Sequence, residues 1–188
     1  ESFVRKAKCL QIKSLKTKCL YRKLQTLRYM KCQQLKVYRY IMPSSSPKLK
    51  IGSFIPIPKE QVSTNNEKGS TEDLFEVIRG QYFPWAISRK SALFVLPYCR
   101  KFVDNWIRTI FRNNLVKYSL VTLELTGDIE WHDGQHFTVA GSIKCFKRKC
   151  KYAFDYWSKP LNTSLRDEIL PEGLFRGSAK IIKIEDFV

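Results

Sequence analysis

The sequence predicts an α+β fold, an antiparallel β-meander packed by one central amphipathic helix over residues 97–113, and three features of the chain predict it. Tyr98, Phe102, Val103, Trp106, Ile107, Ile110 and Phe111 recur at the spacing of one helical face, with Arg100, Lys101, Asp104, Arg108 and Arg112 opposite. Pro97 suits the first turn of that helix, where its missing N–H would be an orphan anyway. Val116 to Leu125 alternates with apolar residues in both rows, as in a strand covered on both faces. Asp133-Gly134 then reads as a hairpin turn, because glycine supplies positive φ. A face carrying Phe102, Trp106 and Phe111 needs a large apolar partner, and the strands after it supply one.

The chain before that core divides into three pieces. Residues 1–41 hold twelve Lys or Arg against the single acid Glu1, a net of +11 of the total +17. They read either as a basic amphipathic arm or, since Met42 precedes a Pro-Ser-Ser-Ser-Pro run, as a leader that is not part of the native chain. Residues 42–70 read as a flexible linker rich in Pro, Ser and Asn. Within it Ile51, Phe54, Ile55 and Ile57 form an apolar patch suited to docking as an extended segment, since Pro56 and Pro58 exclude a helix. Residues 71–188 form a single globular domain. Ser70 or Thr71 caps a short helix near 71–79, with Glu72 and Asp73 in its first turn and Gly80 as its stop.

Ala92 to Leu96 fits a buried strand or a lead-in to the central helix equally well. After Val116–Leu125, Thr126-Gly127-Asp128 is expected to turn the chain. Strands follow at 137–147 and 152–157, joined by a turn at Lys147-Arg148. Pro160 and Asn162 end the second of these, Pro171 and Gly173 frame a loop, and residues 179–184 make a last strand.

A chain of 188 residues that is 44% hydrophobic and 13% aromatic can bury a full core. The sequence pI near 9.7 points to a polyanionic partner, either nucleic acid or an acidic membrane surface, since both reward clustered cations. No apolar run is long enough to span a bilayer, and no uninterrupted apolar stretch near the start resembles a signal peptide. The six cysteines are scattered, as expected for reduced thiols in an intracellular setting: cytoplasm, nucleus or the inner face of a membrane.

No catalytic centre is assigned, no cofactor is implied, and the chain reads as non-enzymatic. Nothing Gly-rich cradles a phosphate, and no nucleophile elbow occurs. His132, His136, Cys145 and Cys150, in H-x3-H and C-x4-C order, are the set on which a zinc ion would draw. Read without metal, the histidines are edge residues and the cysteines small strand hydrophobes. Cys145 and Cys150 would face each other across a tight turn. Lys144, Lys147, Arg148, Lys149 and Lys151 put five cations and no acid within eight residues, beside Tyr152, Phe154, Tyr156 and Trp157. Cations beside rings are what single-stranded nucleic acid uses, phosphates on the charges and bases on the rings. Arg100, Lys101, Arg108 and Arg112 would extend the same surface.

Asn105-Trp106, Arg108 to Phe111, Ile129-x-Trp131-x-Asp133-x3-Phe137, Ile143 and Trp157 resemble the order of elements in the second half of rhabdovirus matrix proteins. The chain lacks the Pro-Pro-x-Tyr motif that such proteins often carry. The resemblance implies a small basic viral protein of the virion that self-associates as a homo-oligomer, condenses the nucleocapsid and contacts the inner membrane leaflet. The alternative is a single-stranded nucleic-acid-binding accessory protein or silencing suppressor.

Overall fold

The structure, a computed structural model, describes residues 30–41, 49–57, 66–110, 118–159, 161 and 169–187. Its fold is α+β. Four strands, β1 (Met30–Ile41), β2 (Leu93–Pro97), β3 (Tyr118–Asp133) and β4 (Pro171–Phe187), close on themselves in the order β1-β2-β4-β3, every pair antiparallel. The helices are α1 (Asn66–Tyr82), α2 (Arg100–Ile110), α3 (Gln135–Ser142) and α4 (Phe146–Ser158), with a 3-10 turn at Arg89–Ser91.

Alternation along the strands builds the interior. Val121, Leu123, Leu125 and Ile129 of β3 point inward with Val37 of β1, Leu93 and Val95 of β2 and Phe175, Ala179 and Ile181 of β4. Each of the Val, Leu, Ile and Phe side chains among them contributes about 1.5–3 kcal/mol by leaving water. Closure pairs both sides of each strand and removes the open edges that invite aggregation. The β3–β4 ladder runs from Tyr118 opposite Phe187 to Asp133 opposite Pro171. Gly127 and Gly177 face each other within it at φ 152° and 151°. A Cβ on Gly127 would stand 2.3 Å from the Arg176 carbonyl oxygen, so the two glycines let the ladder bend where side chains could not pass.

On the outer face of β2 and β4, α1, α3 and α4 form a second layer. Leu74, Phe75 and Ile78 of α1, Ala140 of α3 and Ala153, Tyr156 and Trp157 of α4 pack with Leu174, and the Trp157 indole N–H donates to the Phe75 carbonyl at 2.8 Å. The amphipathic helix α2 lies on the strands as expected, burying Phe102 and packing Val103 with Leu96 and Leu120. Trp106 donates to the Pro171 carbonyl at 2.9 Å, and its ring lies so close to Gly134 that a Cβ there would meet it at 2.9 Å.

Several expectations need correction. The antiparallel sheet is a barrel with crossed connections rather than a meander. Residues 30–41, expected in the arm or leader, are β1, hydrogen-bonded to both β2 and β3. The apolar patch in the linker, by contrast, does dock in extended form as expected: the segment around Phe54 lies on β4, with the Gly52 N–H to the Ile181 carbonyl at 2.8 Å and the Ile55 N–H to the Ala179 carbonyl at 2.9 Å. The helix expected near 71–79 is present but runs from Asn66 to Tyr82, through Gly80. Pro97 closes β2 rather than opening α2, and the apolar run expected at 92–96 resolves as the strand Leu93–Pro97.

Gly127 lies inside β3 and turns nothing, while Pro171 and Gly173 belong to β4. The strands expected at 137–147 and 152–157 are α3 and α4. Gly134 has φ −62°, so there is no hairpin at Asp133-Gly134; instead the Asp133 carboxylate accepts the Gln135 and Leu170 N–H groups at 3.0 and 3.2 Å and starts α3. Phe111, Arg112, Val116, Pro160 and Asn162 lie outside the described residues.

Candidate functional site

The cations singled out from the sequence fall mainly on the first turns of α4. Cys145 precedes this helix in an extended conformation, and no side chain caps its first turn, which holds no acid. Lys144, Lys147 and Arg148 are exposed, Lys149 is half-buried, and none of the four forms an ion pair with another described residue. A helix N-terminus carries partial positive charge, so three consecutive cations at 147–149 oppose the macrodipole rather than complement it. Their arrangement costs stability, and it concentrates positive potential at one end of one rod.

Lys151 differs from the others. Its ammonium lies 2.9 Å from Asp155, which also takes Lys159 at 3.0 Å. Burial pulls the Asp155 carboxyl upward, but hydrogen bonds from Lys151 and Lys159 outweigh it and hold the group below the usual carboxylate range. On α2, Arg100 reaches Glu185 at 3.3 Å and Asp104 at 3.5 Å, Arg108 donates to Asn105 at 2.7 Å, and Lys101 is exposed. Arg112 is outside the described residues. α2 packs its apolar face on Leu96 and Leu120, whereas α4 belongs to the three-helix layer, so the two groups of cations stand on separate elements.

The rings beside the α4 cluster face the core. Tyr156 and Trp157 are fully buried, and Tyr152 and Phe154 are half-buried against His136 and Phe83. No stacking platform remains there for bases. The zinc set is dispersed. His132 is buried in β3 with its ring stacked on Tyr156 and its Nδ1 3.0 Å from the Tyr156 carbonyl. His136 lies on α3, where burial lowers its pKa. Cys145 is exposed ahead of α4, and Cys150 is half-buried within it, its thiol pushed up by burial. Because 146–158 is helical, no tight turn brings the two cysteines face to face. Among the described residues, no group of three or more His, Cys, Asp or Glu side chains is placed to hold a metal ion.

A polar cluster that the sequence did not reveal lies under α4. Arg89 donates to Glu72 and to the Tyr156 hydroxyl, each at 2.8 Å, and to Glu172, with the Phe137 ring 4.1 Å from its guanidinium carbon. Burial works against this charge, yet Glu172, Tyr156 and Glu72 outweigh it and raise the Arg89 pKa. Beside it Glu130 accepts the Ile87 N–H at 2.8 Å and lies 3.6 Å from His132. The cluster ties α1, the 3-10 turn, α4 and β4 together, with Arg89, Tyr156 and Glu172 buried and Glu72 partly exposed at its margin. No local signal marks it, since Arg89 and Glu172 alone are 83 residues apart.

Residues 15–187 match the model of a family described as a protein of unknown function, DUF2441. The chain belongs to that family. The DUF2441 match begins ahead of β1 and ends with the last residue of β4, so it takes in the whole barrel. No curated protein matches the sequence. Among the described residues, no helix of this DUF2441 member is long and apolar enough to cross a membrane.

Proposed function

We propose that this DUF2441 protein is a non-enzymatic polyanion-binding protein, matrix-like in role, whose α4 N-terminus engages phosphate groups of an acidic membrane surface and of a nucleocapsid. The observation that carries the proposal is the pairing pattern on α4: Lys144, Lys147 and Arg148 are exposed without acidic partners among the described residues, at the helix end where cations are disfavoured. Ile51 and Phe54, 68% and 63% exposed beside the exposed Lys50, favour the membrane as one target, because apolar side chains among cations suit an acidic headgroup layer.

Vesicle flotation tests this. Capture is expected on phosphatidylserine-containing vesicles and not on phosphatidylcholine alone, weakening as salt rises. Near an anionic surface each cation contributes about 1 kcal/mol. Lys147→Ala with Arg148→Ala should therefore lower partitioning roughly thirtyfold. Equal capture of variant and wild type would reject the assignment.

One observation supports a second reading as a single-stranded nucleic-acid-binding accessory protein. The Tyr98 ring, 52% exposed, stacks on Tyr38 with centroids 4.6 Å apart, next to Arg100 and Lys101. Tight, salt-sensitive RNA binding lost in Tyr98→Ala, with no vesicle capture, would favour that reading.

A further inference from the structure

Leu35 and Val37 belong to the barrel interior, and strand alternation puts Arg39 on the same inward face, opposite Val121 of β3. Its Nη1 donates to the Phe94 carbonyl at 2.8 Å. Its Nε is closed off from solvent and meets no acceptor among the described residues. No described carboxylate pairs with this guanidinium, and burial lowers its pKa to about 10. Arg89 is the contrast: more completely removed from water, it is held charged by two carboxylates and a tyrosine. A largely buried cation answered by one neutral carbonyl is costly, whereas an aliphatic side chain opposite Val121 would incur no such penalty.

Arg39 also has the right chemistry and place for a ligand. It lies two residues before β1 ends, close to where β3 begins and β4 finishes, at a mouth of the barrel. Barrel mouths are common sites for small ligands, and a planar guanidinium fork matches an oxyanion through two parallel N–H bonds. We propose that Arg39 anchors a small-oxyanion site at this mouth, taking one carboxylate or phosphate group through Nε and a neighbouring Nη. The site is separate from the α4 cations, which act through their summed field and need no buried partner.

The test follows the Arg39 Nε–Hε resonance of the ¹⁵N-labelled full chain, identified by its loss in Arg39→Lys. The chain is titrated with acetate and with inorganic phosphate, and with chloride at matched ionic strength as the control. The expected result is a saturable shift of that resonance with acetate or phosphate but not chloride, together with a rise in Tm that Arg39→Met abolishes. A response to acetate alone assigns a carboxylate ligand, and a response to phosphate alone a phosphorylated one. An unmoved Arg39 resonance in both titrations, or the same anion-dependent rise in Tm in Arg39→Met, overturns the proposal. Should Arg39→Met fail to fold, the titration of the native chain still decides.

Discussion

Arg89 and Arg39 show that what surrounds a buried charge decides what the residue does. Arg89 sits between Glu72 and Glu172 with Tyr156 closing the set, so removing the cation leaves the buried Glu172 carboxylate and the partly buried Glu72 carboxylate without their counter-charge. Arg89→Met should cost about 3–5 kcal/mol in urea denaturation, and adding Glu172→Gln should recover part of the loss. A loss under about 1 kcal/mol would mean that the cluster is better solvated than its geometry indicates. Gly127 is a second residue with one tolerable identity. Gly127→Ala puts a methyl against the Arg176 carbonyl at a positive φ, and about 1–3 kcal/mol of strain should appear in its thermal melt. An unchanged melting curve would show that the ladder bends by other means.

At the scale of elements, α4 sets stability against binding. Lys147→Glu with Arg148→Glu replaces charges that oppose the helix dipole with charges that favour it. The variant should be more stable by about 0.3–1 kcal/mol per residue while vesicle capture is lost. Loss of stability along with capture would mean that these side chains serve packing. Asp155 acts in the opposite sense by neutralising Lys151 and Lys159. Asp155→Asn should strengthen capture of acidic vesicles, because it releases two cations, and equal or weaker capture would count against a field-driven contact. The carboxyl's folded pKa is lowered, so its contribution to α4 is complete above the ordinary carboxylate pKa and is lost as pH falls through the lowered value. Amide protection in the last turns of α4 should decline in acid over that range.

For the whole molecule, closure of the barrel concentrates stability in β3 and β4, which pair along their full length around the interior apolar cluster. By contrast α2 rests on a small cluster of Leu96, Val103 and Leu120 with a few partly buried neighbours. Hydrogen exchange should therefore protect Leu123, Leu125 and Ile181 most and α2 least among the helices, as expected where few apolar contacts hold an element. Protection of α2 equal to that of β3 would show the two opening as one unit. The same division explains what could be read in advance. The face of α2 was legible because Phe102, Val103 and Trp106 repeat within one element. The helix α4 was misread because Tyr152, Phe154 and Tyr156 imitate a two-residue period, while its buried set, Ala153, Tyr156 and Trp157 with Phe146 and Cys150 at its side, follows the helical one. β1 reads as arm or leader because Lys and Arg outnumber acids twelve to one over residues 1–41 as a whole, although Leu35 and Val37 already alternate with polar residues.

By itself the sequence determined the α+β class, the amphipathic α2, the strand content of 118–125 and 179–184, and the crowding of cations at 144–151, since each is recorded in residues near one another along the chain. Only the tertiary structure decided that the strands close into a barrel, that Lys151 is paired while Lys147 and Arg148 have no acidic partner among the described residues, and that Arg39 and Arg89 meet opposite surroundings. The physical reason is distance along the chain: a helical face is set by neighbours three and four residues away, whereas the partner of a buried charge, as Glu172 is for Arg89, is chosen by the folded backbone.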